Sequence, residues 1–416
     1  MTLRSSSIFN FRNNIQELKK QNEIHANKYL SSEINITNQN LSENKHIQKI
    51  EFMPVNRLIR EDETEKIIKT LKDFLPTGKY TSGKYIDEFE HYLSEYLSIN
   101  HVIALSSGTA ALTIGLLSLG VTAGDEVILP SNSFAATENA VVSIGATPVY
   151  ADVKDDFTIC PKSIENLITS KTKAILPVHL YGRFCDMLKI QKIASEYDIK
   201  VIEDACQGIG LEEVGMYSDL AALSFNPYKN LGVCGKAGAI ITNNTELDYK
   251  CRLISYHGFD LKEKNKKIID FGFNSKIDNT QALIGIVRME YLTFNQYRRL
   301  KIAEKYNEKL SDMENIILPT FDDKSVWHLY PIRIKNNKRD FVKSELEKVG
   351  IQSEIYYPYL SHKQISYKKI ISLPNTERIH KELLCLPLYP GLTKEEQEYV
   401  ISKLREILEG LRCQGI

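Results

Sequence analysis

Neither sign of charge is in surplus: 53 lysines and arginines stand against 53 aspartates and glutamates, for a formal net charge of zero. That argues against a nucleic-acid partner, which would call for a basic domain. No run of about 18 apolar residues is present, so no segment reads as a membrane span. The seven cysteines, at 160, 185, 206, 234, 251, 385 and 413, are odd in number, scattered and without a C-x-x-C pair. This usage fits a reduced, cytoplasmic protein and gives no reason to expect a metal site. The first fifty residues lack the apolar core and small-residue cleavage site of an export signal. Their opening, MTLRSSSIFNFRNN, is free of acids like a transit peptide, but Glu17, Glu23 and Glu33 soon end that likeness.

What is present is ordinary for a globular chain, 43% hydrophobic and 25% charged residues. A length of 416 residues suggests two or three structural units. Residues 1–52 read as a polar extension, expected to lie as a helical arm on the main body or on a partner subunit. From His101 onward, short apolar runs such as HVIAL, EVILP, TPVYADV, TKAILPVHLYG and KVIEDA alternate with helical patterns. Such alternation predicts an α/β fold with parallel strands and crossover connections. A large unit is expected over 53–285, and a long connecting helix with a smaller C-terminal α/β unit over 286–416. Strands VWHLYPIRI and IQSEIYYP are predicted in the smaller unit. Its last helix opens with a capping box, Thr393 and Glu396, and carries Val400, Ile401, Leu404, Ile407, Leu408 and Leu411 at core spacing.

The chemistry is concentrated between Lys200 and Asn243. One apolar run ends in Glu203-Asp204, and the next, Ala221 to Phe225, ends in Asn226-Pro227-Tyr228-Lys229. In α/β sheets ligands sit beyond the carboxyl ends of strands, which places Asp204 and Lys229 on one crevice. Taken singly, each has a plainer reading as a capping aspartate or a solvated lysine. Taken together, with Gly232, Gly235 and Gly238 close behind, they match what pyridoxal phosphate requires: an amine to form an imine with its aldehyde, and a carboxylate to keep its pyridine nitrogen protonated. Ser106-Ser107-Gly108-Thr109, entering a helix, is an anion cradle of free backbone N–H groups. Phe134, at a strand-to-helix turn, offers a flat face for a ring, with Glu138 four residues on as a supporting candidate. Gly208-x-Gly210 lacks the third glycine of a dinucleotide fingerprint, since Glu213 stands there.

The wording EDACQGIG followed by SFNPYKNLGVCGKAGAIITN resembles the DegT/DnrJ/EryC1/StrS family of pyridoxal phosphate sugar aminotransferases, and the likeness runs from about Met53 to the C-terminus. It implies the fold-type I aminotransferase architecture, a large domain with a mostly parallel seven-stranded sheet. It implies pyridoxal 5′-phosphate as cofactor, with Lys229 and Asp204 catalytic and Gly108, Thr109, Phe134, Gln207 and Ser224 around the cofactor. G-F-N-x-x-x-x-N-x-Q-A matches a family loop whose asparagine, Asn274, reaches the neighbouring subunit's cofactor phosphate, so a homodimer with shared sites is expected. Tyr80, His328, Tyr357 and His362 match positions near the substrate mouth, and Arg183, a guanidinium fork past a strand end, is expected to help hold a sugar 6-phosphate. Lys236 departs from the acidic residue most of the family has in this turn.

The implied reaction moves an amino group from L-glutamate to a 3-oxo sugar, 3-oxo-glucose 6-phosphate, giving kanosamine 6-phosphate in antibiotic amino-sugar biosynthesis. The alternatives are a nucleotide-linked keto sugar as acceptor, a non-catalytic cofactor-binding regulator, and an NAD-dependent oxidoreductase.

Overall fold

Six strands run one way and one runs against them. The computed structural model describes residues 49–364, 366 and 370–413, so the expected N-terminal arm falls almost wholly outside the described residues. The strands are β1 (His101–Leu105), β2 (Glu126–Pro130), β3 (Thr147–Ala151), β4 (Thr172–Ile175), β5 (Lys200–Asp204), β6 (Leu220–Ser224) and β7 (Gly238–Thr242). They lie in the order β1-β7-β6-β5-β4-β2-β3. All neighbours pair in parallel except β7, which is antiparallel to both β1 and β6. Helices cover the sheet, so the central strands β6 and β7 are buried along their whole length, which is why they read as unbroken apolar runs rather than alternating ones.

The reversal at β7 organises the end of the sheet that matters. Gly238 opens β7 opposite Leu105 of β1 and Ser224 of β6, so two strands finish where the third begins. The helix Gly108–Ser118 starts against this point, with Ser107 Oγ accepting the Ala110 amide at 3.1 Å as its cap. A Cβ on Gly238 would lie 2.6 Å from the Gly108 nitrogen, and one on Gly108 would lie 2.7 Å from Cys206 Sγ and 2.9 Å from Ser224 Cβ. Backbone meets backbone here, and only glycine fits. Gly238→Ala is therefore expected to shift the helix entrance and weaken binding of pyridoxal phosphate about 10- to 100-fold, the range that the strain of overpacking gives. Equilibrium dialysis against the purified variant measures it.

The long helix Asn279–Leu310 is capped by Asp278, whose Oδ1 accepts the Gln281 amide at 2.7 Å. It starts short of the expected junction at 285/286 and carries the chain to a second, antiparallel sheet of β8 (Ile316–Ile317), β9 (Tyr330–Ile334) and β10 (Leu383–Leu386), ordered β10-β9-β8. The predicted capping box is present: Thr393 N donates to Glu396 Oε2 at 2.9 Å and Glu396 N to Thr393 Oγ1 at 3.2 Å. Val400, Ile401, Leu404, Leu408 and Leu411 are buried behind it.

IQSEIYYP is not a strand. Ile351 bridges to Ile50 while Glu354 bridges to Cys385, so the segment is pinned at two points to different neighbours and follows neither in register. Besides β8, the strand that pairs with β9 is LLCL, directly after the helix Pro374–Glu382. Asp152 ties the two sheets together, for its carboxylate caps that helix by accepting the Thr376 amide at 2.7 Å and the Asn375 amide at 3.1 Å.

Candidate active site

A pocket of about 490 Å³ opens at the carboxyl ends of β1, β5 and β6. Lys229, Asp204, Gly108, Thr109, Phe134, Gln207 and Ser224 all line it, together with His328 and Tyr357. A roomier cleft of about 630 Å³ lies elsewhere, lined in part by Arg57 and Arg60. Both cations are already paired there, Arg57 with Glu396 and Arg60 with Asp62, and none of the anticipated residues reaches it.

Asp204 ends β5 almost wholly buried, 5% exposed. Its Oδ2 accepts the Thr137 hydroxyl at 2.7 Å and its Oδ1 accepts the Cys206 amide at 3.1 Å. Those donors orient the carboxylate, and each oxygen keeps a lone pair for a further donor in the pocket. Beneath it, His179 Nε2 lies 2.7 Å from Glu203 Oε2 while the other ring nitrogen accepts the Cys185 amide at 3.1 Å. The His179 amide in turn donates to the Asp204 carbonyl at 3.0 Å. The acid thus stands on a buried, hydrogen-bonded floor.

Lys229 sits on a loop closed by backbone hydrogen bonds: Lys229 N to Asn226 O at 2.8 Å, Val233 N to Phe225 O at 2.9 Å, and Phe225 N to Ala237 O at 2.8 Å. Burial in the pocket pushes its amine below the usual lysine range, and the neighbouring Cys206 and Asp204 act in the opposite sense. A lowered value enlarges the neutral fraction of the amine, which is the form that attacks a carbonyl or takes a proton. The Cys206 thiol is pushed well up, by burial first and by Asp204 second, and stays protonated.

Phe134 is 57% exposed. Core packing is the commoner fate of such a residue, yet here its ring faces the opening, 5.4 Å from that of Tyr357. Tyr357 accepts a hydrogen bond from Gln207 Nε2 at 2.9 Å, and Gln207 Oε1 accepts the Tyr181 amide at 2.6 Å. His328 is buried, with Nδ1 3.1 Å from Asn230 Oδ1; Asn230 Nδ2 donates to the Val326 carbonyl at 2.9 Å. The amide's orientation makes Nδ1 the protonated nitrogen. Burial, Lys229 and Arg299 hold this imidazole well below its ordinary pKa, so it is neutral and its Nε2 is an acceptor.

Three of the expected substrate residues lie outside this pocket. Tyr80 turns its hydroxyl to the Leu75 carbonyl at 2.9 Å and its ring edge-on to Phe74. Arg183 lines a separate cleft and donates to the Thr320 carbonyl, so in this chain it does not face the pocket that holds Lys229. His362 is buried between Ser131 Oγ, 2.6 Å from its Nδ1, and Glu377, 3.2 Å from its Nε2; it joins the loop after β2 to the smaller unit. Asn274 also stands outside its own chain's pocket, exposed beside Tyr256 at the base of a hairpin. Glu138 is not in the lining; its neighbour Thr137 turns to the acid instead.

Thr137, Cys206, Tyr228, Lys236 and Tyr356 line the pocket without having been anticipated as its residues. Cys206 and Tyr228 were signalled by adjacency to Asp204 and Lys229. For Thr137 and Tyr356 the sequence carries no signal, because their reach across the pocket depends on the pairing of distant strands.

Pyridoxal phosphate fits this donor set. The cradle at Gly108 and Thr109 accepts an anion, the carboxylate of Asp204 is buried with lone pairs to spare, and the lysine amine shares the cavity with both. Among the described residues, no group of three or more His, Cys, Asp or Glu is placed to hold a metal ion, and no helix is long and apolar enough to cross a membrane.

Comparison with known proteins agrees with the geometry. The DegT/DnrJ/EryC1/StrS aminotransferase family matches residues 61–405. The 3-oxo-glucose-6-phosphate:glutamate aminotransferase of Bacillus subtilis (strain 168) is 52% identical over 380 residues, which are 89% of this chain and 86% of that protein. The dTDP-3-amino-3,6-dideoxy-alpha-D-galactopyranose transaminase of Aneurinibacillus thermoaerophilus is 38% identical, over 81% of this chain and 94% of that protein. Among solved structures, NtdA from Bacillus subtilis with bound cofactor PMP superposes with a TM-score of 0.86 at 51% identity, covering 89% of this chain and 87% of that one.

Proposed function

The chain belongs to the DegT/DnrJ/EryC1/StrS aminotransferase family, and from that premise we propose that it is a pyridoxal phosphate-dependent enzyme moving the amino group of L-glutamate to 3-oxo-glucose 6-phosphate, with kanosamine 6-phosphate as product. The observation that carries the reading is the meeting of Lys229, Asp204 and the Gly108–Thr109 cradle in one cavity. The similarity to the glutamate-dependent aminotransferase of Bacillus subtilis supports the choice of donor and acceptor.

When bound, pyridoxal phosphate supplies an aldehyde that amines take up in turn and a ring that accepts the electron pair released at Cα. The chain supplies the rest. The N–H groups of Gly108 and Thr109, with Ser224 beside them, hold the phosphate. Asp204, fixed by Thr137 and Cys206, would accept a charge-assisted hydrogen bond from the ring nitrogen and keep it protonated. Phe134 covers a ring face. Lys229 Nζ, whose pKa burial lowers, would remove the proton from the amino acid's Cα and return it one atom along; with the sugar it would work in reverse. His328 and Tyr357 line the pocket that the substrate would enter.

Two chains are proposed to complete each site. The hairpin around Asn274 presents Tyr256, Leu261, Ile268, Phe271 and Phe273 to solvent, an apolar surface of the kind that marks an interface. Asn274 lies on that surface rather than in its own pocket, which suits a donor to the partner's cofactor phosphate. A cytoplasmic location is consistent with the substrates.

The test is a pair of half-reactions on the purified protein. Glutamate is expected to shift the visible absorbance of the cofactor-loaded protein, and kanosamine 6-phosphate with 2-oxoglutarate to be turned over at least about tenfold faster in kcat/KM than a dTDP-linked 3-amino sugar, tenfold being about 1.4 kcal/mol of discrimination. The reverse preference would move the acceptor to the nucleotide-linked class. A coloured protein that shows no spectral response to glutamate would point to a cofactor-binding regulator.

A further inference from the structure

Lys236 lines the same pocket as Lys229 and Asp204, yet no partner for its amine is found among the described residues. Its backbone is well placed nonetheless. The next residue, Ala237, accepts the Phe225 amide at 2.8 Å where the lysine loop rejoins the sheet, so the two lysines stand on a single closed loop. Asp204 is the one carboxylate of the described pocket lining, oriented by Thr137 and Cys206. The wall therefore carries two amines against one acid, and Lys236 is the exposed amine of the two.

We propose that Lys236 binds the phosphate of the sugar substrate and so selects phosphorylated over unphosphorylated sugars; this rests on the substrate reading above. Two considerations favour the sugar phosphate over the other anions that enter the pocket. Glutamate's α-carboxylate is attached to the carbon that reacts at Lys229, in the interior, whereas a 6-phosphate lies across the sugar ring from C3, toward the rim. The cofactor's phosphate has its own cradle at Gly108, where two strand ends and a helix start converge. A phosphate monoester carries about −1.5 to −2 charges near neutral pH, and an ammonium with three rotatable donors suits it as a point charge.

The experiment compares the wild-type holoenzyme with Lys236→Met, Lys236→Arg and Lys236→Glu, using kanosamine 6-phosphate, kanosamine and glutamate as separate amino donors. An exposed residue with no partner should leave folding intact when replaced. In Lys236→Met, KM for kanosamine 6-phosphate is expected to rise about 10- to 100-fold, the worth of a charge-assisted hydrogen bond, with kcat little changed. The preference over kanosamine should fall in the same proportion. Lys236→Arg should recover most of the loss, and Lys236→Glu should exceed it through like-charge repulsion. An unchanged preference in Lys236→Met overturns the proposal. So does a rise in KM for glutamate, or a drop in cofactor affinity, as large as the effect on the sugar phosphate. If the wild type responds to glutamate but not to kanosamine 6-phosphate, the substrate reading fails and this proposal with it, a result visible before any variant is made.

Discussion

Lys229→Ala is expected to lower amine transfer by about 10⁴-fold or more, because one side chain serves both as the nucleophile that holds the cofactor and as the base that moves the Cα proton. The fold should survive the change. The loop is closed by main-chain hydrogen bonds from Lys229, Val233 and Phe225, none of which uses the lysine side chain. Borohydride reduction of the wild-type holoenzyme followed by peptide mapping should find the cofactor on residue 229, and the variant should show no attachment there. Lys229→Arg should be nearly as inactive, since a guanidinium stays protonated at any working pH. Retention of a tenth of wild-type turnover by the alanine variant would end the assignment.

Asp204→Asn is the second large effect, a loss of about 10²- to 10³-fold in both half-reactions, the scale on which removal of a preorganised electrostatic partner is felt. The carboxamide keeps the shape and can still accept from the Thr137 hydroxyl or the Cys206 amide, so the loss measures charge rather than packing. It also has a pH signature. Burial lowers the pKa of Lys229 while Asp204 raises it; without the carboxylate's charge the amine titrates lower still. The acid limb of the pH–rate profile for glutamate, where activity appears as Lys229 loses its proton, should therefore move to lower pH in the variant. A limb that moves up, or a rate within a few-fold of wild type, would separate Asp204 from the cofactor.

The residues legible in the sequence are those whose chemistry is set by local chain geometry. A run of buried apolar residues ending in an acid, a second ending in a lysine loop, and small hydroxyl residues entering a helix each describe a strand tip, and strand tips of a parallel sheet share one edge. Lys229, Asp204, Gly108, Thr109 and Phe134 were therefore within reach, while Gln207 and Ser224 came from the family resemblance alone. Phe134 is the marginal case, since a lone aromatic reads as core until the strand order exposes it. Arg183 and His362 show the converse. Arg183 is drawn off by the Thr320 carbonyl, and His362 is enclosed between Ser131, far back in the chain, and Glu377. IQSEIYYP has the alternation of a strand and lacks a single neighbour to pair with, something no local pattern reports.

The reversed course of β7 has a consequence for how this protein is born. Its first residue is wedged against the entrance of a helix that left the ribosome far earlier, and the acid of the same pocket comes from yet another strand. None of the three can grip a ligand until the sheet has closed, so vitamin B6 can stabilise only chains that have finished folding, and the colour of a preparation becomes a count of its correctly assembled molecules.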